Sequence, residues 1–394
     1  MKIALIAQNA TPLHGSAAGA DDDNVRLSKL ARGLAGQGHE VTVYARKDRC
    51  ELPDNAELEP GVRVEHLGPA AGPGDTDLLK RMPAFTGRLQ ERLRRERPDV
   101  VHALRWTSGL AALAATRGLG VPVVQTFYSL GVAERRHRVI PEAAGIERIR
   151  LEPAIGRSAT AVLAASSDEE SDLTRLGVPR KSIKVVPCGI DTDEFAPEGP
   201  VASRNGRPRL ITVTELSNTK PIDTLLRALT RVPSAELVVA GGPPRTELSR
   251  DKEYPGLARL AAALGVSDRV MFAGHVGRHE LPALMRSADL LVSTPEYEPT
   301  GTVSLEAMAC GTPVVASAVG GQVDAVVDGT TGILVPPGRP ALLASKIRQL
   351  LAHPMLLEAY SVAAADRARS RYSWDRIARE TAAVYDSARG AMAA

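Results

Sequence analysis

The sequence predicts an α/β protein with two doubly wound, mostly parallel sheets, one per domain, facing each other across a cleft. Three observations predict it. Short β-branched runs alternate with amphipathic helical patterns along nearly all 394 residues, and strands that alternate with helices pair in parallel. The alternation lapses once, over Phe195–Arg209 (FAPEGPVASRNGRPR), whose Pro, Gly and Arg content reads as a linker. The chain is also too long for one comfortable core, so two or three domains are expected.

The first domain is assigned residues 1–195. Its strands are expected at Lys2–Ala7, Glu40–Arg46, Val62–Leu67, Asp99–Leu104, Pro122–Tyr128, Thr160–Ser166 and Ile183–Pro187. Helices lie between them; over Val25–Gly36 the residues Val25, Leu27, Leu30 and Leu34 share one stripe. The second domain, 196–373, repeats the pattern with strands at Leu210–Thr214, Glu236–Ala240, Arg269–Ala273, Asp289–Thr294, Pro313–Ser317 and Gly332–Pro336. A last helix occupies 374–394, with Trp374, Ile377, Ala378 and Tyr385 on one stripe. In such sheets ligands bind at the C-terminal ends of the strands.

Composition narrows the function classes. A 44% hydrophobic and 24% charged chain is ordinary globular protein. A net charge of +3 suits an anionic small ligand and falls far short of a nucleic-acid footprint. Cys50, Cys188 and Cys310 stand apart, without metal or redox spacing, and read as small buried residues in a reducing compartment. The N-terminal apolar run is too short for a signal peptide and no long apolar segment follows, so a soluble, cytoplasmic protein is expected. The stretch Arg88–Arg97 carries five arginines at helical spacing, but Glu91 and Glu96 interrupt it. A solvated face is expected there, without membrane contact.

One stretch concentrates chemistry: Glu296–Gly332, EYEPTGTVSLEAMACGTPVVASAVGGQVDAVVDGTTG. Glu298 and Glu306 are separated by seven residues with Gly301 between them. A loop enters a helix at about Thr302, and the Gly311-Thr312-Pro313 break leads into a buried strand. Free N–H groups and the positive dipole end at a helix start suit a phosphate, and Gly301 lets a ligand approach the backbone. Carboxylates beside an anion site make sense if they accept hydrogen bonds from sugar hydroxyls next to the phosphates.

This stretch resembles the motif of retaining family-4 glycosyltransferases, which share the GT-B fold of two Rossmann-like domains. Their pattern, E-P-F-G-I-V-P-L-E-A-M-A-x-G-x-P-V-V, is met in register by E-P-T-G-T-V-S-L-E-A-M-A-C-G-T-P-V-V. A second segment, Thr214–Leu226 (TELSNTKPIDTLL), is similar to the family's G-R-L-x-x-x-K-G-x-D-x-L-L, whose Arg and Lys grip the donor diphosphate. Lys220 stands at the lysine, but Glu215 stands at the arginine. A carboxylate ~6 Å from one phosphate charge costs roughly 3 kcal/mol at an effective dielectric of about 20. Either Glu215 turns away or pairs with a cation such as Lys220, or diphosphate binding is weaker or arranged differently.

By the same resemblance, the backbone at His275 and Val276 would meet the nucleotide base. Gly241-Gly242-Pro243 would border the nucleotide or form a plain turn. In the first domain the loop Leu13–Asn24 puts Asp21 and Asp22 at the family's paired glycines. They either cap and charge-match the following helix or face the cleft, where they suit a cationic acceptor. Tyr128 replaces the histidine of the family's T-F-H-S-L-G; it can hydrogen-bond a sugar hydroxyl but cannot titrate near neutral pH. His102 matches a family histidine and makes either a ligand contact or a strand-end hydrogen bond.

The resemblance implies transfer of a sugar from a nucleotide-diphosphate donor, with uridine or guanosine the expected base, to a small-molecule acceptor with retention at the anomeric carbon. Specialised-metabolite assembly is one setting it suits. Glu298 would hold donor sugar hydroxyls, and Glu306 would accept from the ribose. Lys220 and the N–H groups around Thr300, Gly301, Thr302 and Val303 would stabilise the leaving diphosphate, with no metal and no further cofactor. The other expectation, which Glu215, Tyr128, Asp21 and Asp22 support, is a catalytically silent relative that binds a nucleotide or a partner protein.

Overall fold

A computed structural model describes all residues except 9, 11, 14–20, 48–51, 69–77, 138–145, 218 and 394, and all side chains except those of 21, 22, 78–81 and 393 as well. Cys50 and most of the loop before Asp21 lie outside the described residues. The chain forms two compact units, Met1–Gly189 with Trp374–Ala394, and Ile190–Ser373. The break falls at Gly189/Ile190 rather than at 195. Ile190 bridges to Ser373 and donates its N–H to the Tyr372 carbonyl at 2.8 Å, and Phe195 is buried in the second core.

The first unit holds eight strands: β1 Lys2–Ala7, β2 Glu40–Arg46, β3 Asn55–Glu59, β4 Val62–Leu67, β5 Val100–Leu104, β6 Val123–Thr126, β7 Ala161–Ala164 and β8 Ile183–Val185. Their order is β3-β4-β2-β1-β5-β6-β7-β8, all pairs parallel except β3 with β4. β3 was not expected. Its sequence, NAELE, has no β-branched residue and sits at the sheet edge, half-buried at most, so it carries no local strand signal. β5 is buried along its whole length, as a strand covered on both faces should be.

The first helix runs Asp21–Gly36, so the acidic run belongs to its first turn instead of preceding it. An acidic residue at a helix start is favoured by the positive end of the helix dipole. Its partner is the helix Trp374–Ala393, whose Ile377, Ala378 and Tyr385 are buried in the same core. A Cβ at Gly33 would sit 2.8 Å from that of Ala378, so the glycine sets how closely these helices approach.

The second unit holds β9 Arg209–Val213, β10 Glu236–Ala240, β11 Val270–Gly274, β12 Leu290–Ser293, β13 Val314–Ser317 and β14 Gly332–Val335, all parallel, in the order β11-β10-β9-β12-β13-β14. Strand order reverses at β1 in the first sheet and at β9 in the second. Loops on either side of such a reversal diverge and leave a crevice at the strands' C-terminal ends. In the second unit the crevice lies between the loops after β9 and β12; Lys220 stands in the first turn of the helix Thr219–Leu229 that follows the former, and Glu298 in the latter.

Candidate active site

The loop after β12 enters the helix Thr302–Ala309 through Gly301, whose φ of +69° places it in the left-handed region. A Cβ there would meet the Gly321 carbonyl at 3.0 Å, and one at Gly321 would lie 2.5 Å from the Thr300 carbonyl carbon. Gly321 donates its N–H to the Glu298 carbonyl at 2.8 Å. Glycine on both sides therefore lets two backbones lie directly against each other. The first intrahelical bond here runs from Leu305 N–H to the Gly301 carbonyl at 3.1 Å. A helix has no intrahelical carbonyl to offer the N–H groups of the turn ahead of that bond, so they point out of the helix start.

Glu298 turns its carboxylate onto its own loop. Oε1 accepts from the N–H of Gly301 at 3.0 Å, from the N–H of Thr300 at 3.3 Å and from the Thr300 hydroxyl at 3.2 Å. Thr300 is buried, with its hydroxyl 3.0 Å from that of Thr302. A carboxylate has about four lone-pair sites, so Glu298 fixes the loop through one oxygen and keeps acceptor capacity on the other. Glu306 is 4% exposed. Its Oε1 accepts from Arg278 Nη1 at 3.2 Å, and Arg278 Nε donates to Glu194 Oε2 at 3.1 Å.

Lys220 Nζ lies 2.8 Å from Glu296 Oε2, so its partner is Glu296 and not Glu215. The residues pair because β9 and β12 are neighbours. Glu215 is exposed and makes no ion pair among the described residues. His275 is exposed and donates its N–H to the Pro243 carbonyl at 3.0 Å, while Val276 packs against the core. Gly241 (φ +130°) lies against the Thr214 backbone, where a Cβ would collide with the carbonyl. The turn is thus set by its packing on the β9 loop.

In the first unit, the side chains of Asp21 and Asp22 lie outside the described residues. Asp23 is the aspartate of this run whose partners the structure shows. Arg105, which follows β5 and opens the helix Arg105–Ala115, donates to both its oxygens at 2.8 Å from Nε and Nη2, and Nη1 reaches the Ser129 hydroxyl at 3.1 Å. Burial pushes the Asp23 carboxyl up, but Arg105 and Arg26 outweigh it and hold the pKa below the ordinary value. Arg105 (φ +71°) and Tyr128 (φ +61°) are both left-handed, a strain that such anchoring sustains. The Arg26 and Arg105 guanidiniums lie 5.5 and 5.7 Å from the centre of the Tyr128 ring, which is buried in the core.

His102 is not at an open edge. It is 1% exposed, with Nδ1 2.7 Å from the Tyr385 hydroxyl and Nε2 2.8 Å from Thr126 Oγ1. Of its two expected roles, the structure places it in the internal hydrogen bond. Arg278, Glu296, Asp23 and Arg105 were not singled out from the sequence. Each joins a partner far away in the chain, which local spacing does not signal.

Residues 24–194 match the family described as Glycosyltransferase Family 4, and residues 198–367 match Glycosyl transferases group 1. The chain is 34% identical to D-inositol 3-phosphate glycosyltransferase 2 of Catenulispora acidiphila, over 98% of this chain and 94% of that one. It is 35% identical to D-inositol 3-phosphate glycosyltransferase of Frankia alni, over 90% and 92%. Among solved structures, sucrose-phosphate synthase from Thermosynechococcus elongatus superposes with a TM-score of 0.84 at 29% identity, over 99% of each chain. Similarity that spans both units makes the chain a member of the group 1 and family 4 glycosyltransferases, enzymes of the GT-B fold.

Proposed function

We propose that the protein transfers a sugar from a nucleotide-diphosphate donor to a small-molecule acceptor with retention of anomeric configuration. One observation carries the reading. The open start of the helix Thr302–Ala309 is flanked by Glu298 and Glu306, and the adjacent β9 loop brings Lys220 to Glu296, two residues before Glu298. The amides of Thr302 and Val303 with Lys220 stabilise the departing diphosphate, the kind of electrostatic term that weighs most in such transfers. Glu298 accepts from donor sugar hydroxyls through the oxygen its loop leaves available, and Glu306 accepts from the ribose. The leaving phosphate takes the acceptor's proton, so no separate base is assigned. Positive charge comes from Lys220 and the helix start, and the reading calls for no metal.

D-inositol 3-phosphate, the acceptor in the names of the relatives, is the first acceptor to test, followed by amino-bearing polyols and sugars. Calorimetric titration with uridine, guanosine, adenosine and thymidine diphosphates tests the donor site, and binding to none of them would sink it.

A second reading, a silent relative, is favoured by two contacts: Glu298 is engaged by its own loop and Lys220 by Glu296. Donor-sugar hydrolysis separates the two. The active enzyme is expected to lose its background rate on Glu298→Gln, and equal rates for wild type and variant would favour the silent protein.

A further inference from the structure

Glu306 is a carboxylate on the buried face of a helix, with its side chain 5% exposed. An ionised group that deep needs a charged or multiply hydrogen-bonded partner. Arg278 supplies one, and it is itself anchored three ways. Nη1 donates to Glu306 Oε1 at 3.2 Å, Nε donates to Glu194 Oε2 at 3.1 Å, and Cζ lies 5.1 Å from the centre of the buried Phe195 ring. His279 Nδ1 lies 2.8 Å from Glu194 Oε1, but its side chain is exposed and the contact is not aligned as a hydrogen bond. A guanidinium is a planar fork with donors in fixed directions, which a lysine cannot reproduce at two carboxylates at once. Its position therefore fixes the direction in which Glu306 presents its remaining lone pairs.

We propose that Arg278 is a positioning residue for the donor: by bridging Glu194 and Glu306 it aims the Glu306 carboxylate at the ribose hydroxyls. This rests on the ribose role given to Glu306 above. Arg278 touches neither the reacting carbon nor the diphosphate in this account. Its effect is read as ribose recognition.

The test is calorimetric binding of uridine and guanosine diphosphates, each beside its 2′,3′-dideoxy analogue, to wild type, Glu306→Gln, Arg278→Met and Arg278→Lys. Wild type is expected to prefer the ribonucleotide by at least about tenfold, as hydrogen bonds to a charged group should give. Glu306→Gln should lose most of that preference. Arg278→Met should lose a comparable share while binding the dideoxy analogue as wild type does, and Arg278→Lys should fall between. If Arg278→Met keeps the wild-type preference, or weakens both nucleotides equally, the positioning role is overturned and Arg278 is structural only. A wild type without preference, or a Glu306→Gln variant that keeps it, overturns the ribose role of Glu306 itself, and the proposal with it.

Discussion

His102 and Tyr385 are joined by a 2.7 Å hydrogen bond inside the first unit, across 283 residues of sequence. The other ring nitrogen is taken by Thr126. Burial lowers the His102 pKa from its ordinary 6.5 to about 3, so the ring is neutral, with one nitrogen donating and the other accepting. Between those two values the unfolded chain binds a proton that the folded chain does not. Stability is therefore lost as pH falls below about 6.5, by roughly 1.4 kcal/mol per unit. His102→Gln should be less stable at pH 7.5 yet lose less between pH 6.5 and 4.5 than wild type, read as urea midpoints. Parallel curves would mean that His102 is not held neutral.

Glu169 predicts the opposite trend over much of the same pH range. Its Oε2 accepts from the Ala165 N–H at 2.6 Å, while Oε1 is buried without a hydrogen-bond partner among the described residues. Burial raises its pKa to about 7. The folded chain then holds a proton that the unfolded chain has released, so stability is full below about 4.5 and declines as pH rises to about 7, by about 3 kcal/mol in all. Glu169→Gln keeps the Ala165 bond and removes the titration. Its midpoint should exceed that of wild type at pH 8 and match it near pH 4. A variant no more stable at pH 8 would contradict the buried-acid account.

The contrast between what local sequence conveys and what it does not follows from chain distance. The helix start at Thr302 and the buried runs around it were legible because their signals lie within about a dozen neighbouring residues: Gly301, the apolar turn and the break at Gly311. Arg278–Glu306 spans 28 residues, Lys220–Glu296 spans 76 and Asp23–Arg105 spans 82. The last two meet only because β9 lies beside β12 and β1 beside β5. Strand order comes from packing the whole sheet, and no local period encodes it. The acidic run was legible as a match for a helix dipole, whereas the partner of Asp23 was not.

Glu296 competes for Lys220. Both side chains are exposed, 46% and 66%, and such pairs are worth about 1 kcal/mol or less. A doubly charged diphosphate can therefore displace Glu296, but doing so reduces the net gain. Glu296→Gln should tighten nucleoside diphosphate binding by about two- to fivefold at low salt, converging with wild type as salt screens both. Lys220→Ala should weaken binding and abolish the difference between Glu296 and Gln. If Glu296→Gln alone leaves affinity unchanged, Lys220 does not reach the diphosphate.

The paired glycines offer a way to disturb the site without touching a charged group. Gly321 lies where a Cβ would press on the Thr300 carbonyl carbon at 2.5 Å, and Gly301 holds a φ of +69°. Both contacts are to backbone, so no side-chain rotation relieves them. Gly321→Ala must push the loop of residues 298–301 away from the helix Gly321–Ala325, breaking the 2.8 Å bond from Gly321 N–H to the Glu298 carbonyl. Gly301→Ala presses less closely, at 3.0 Å on the Gly321 carbonyl, and adds a left-handed strain of about 1 kcal/mol. Gly321→Ala is therefore expected to cost more in nucleoside diphosphate affinity than Gly301→Ala, with Glu298→Gln adding little in the Gly321→Ala background. Full additivity of the last two changes would show that Glu298 acts independently of the loop backbone that the glycine supports.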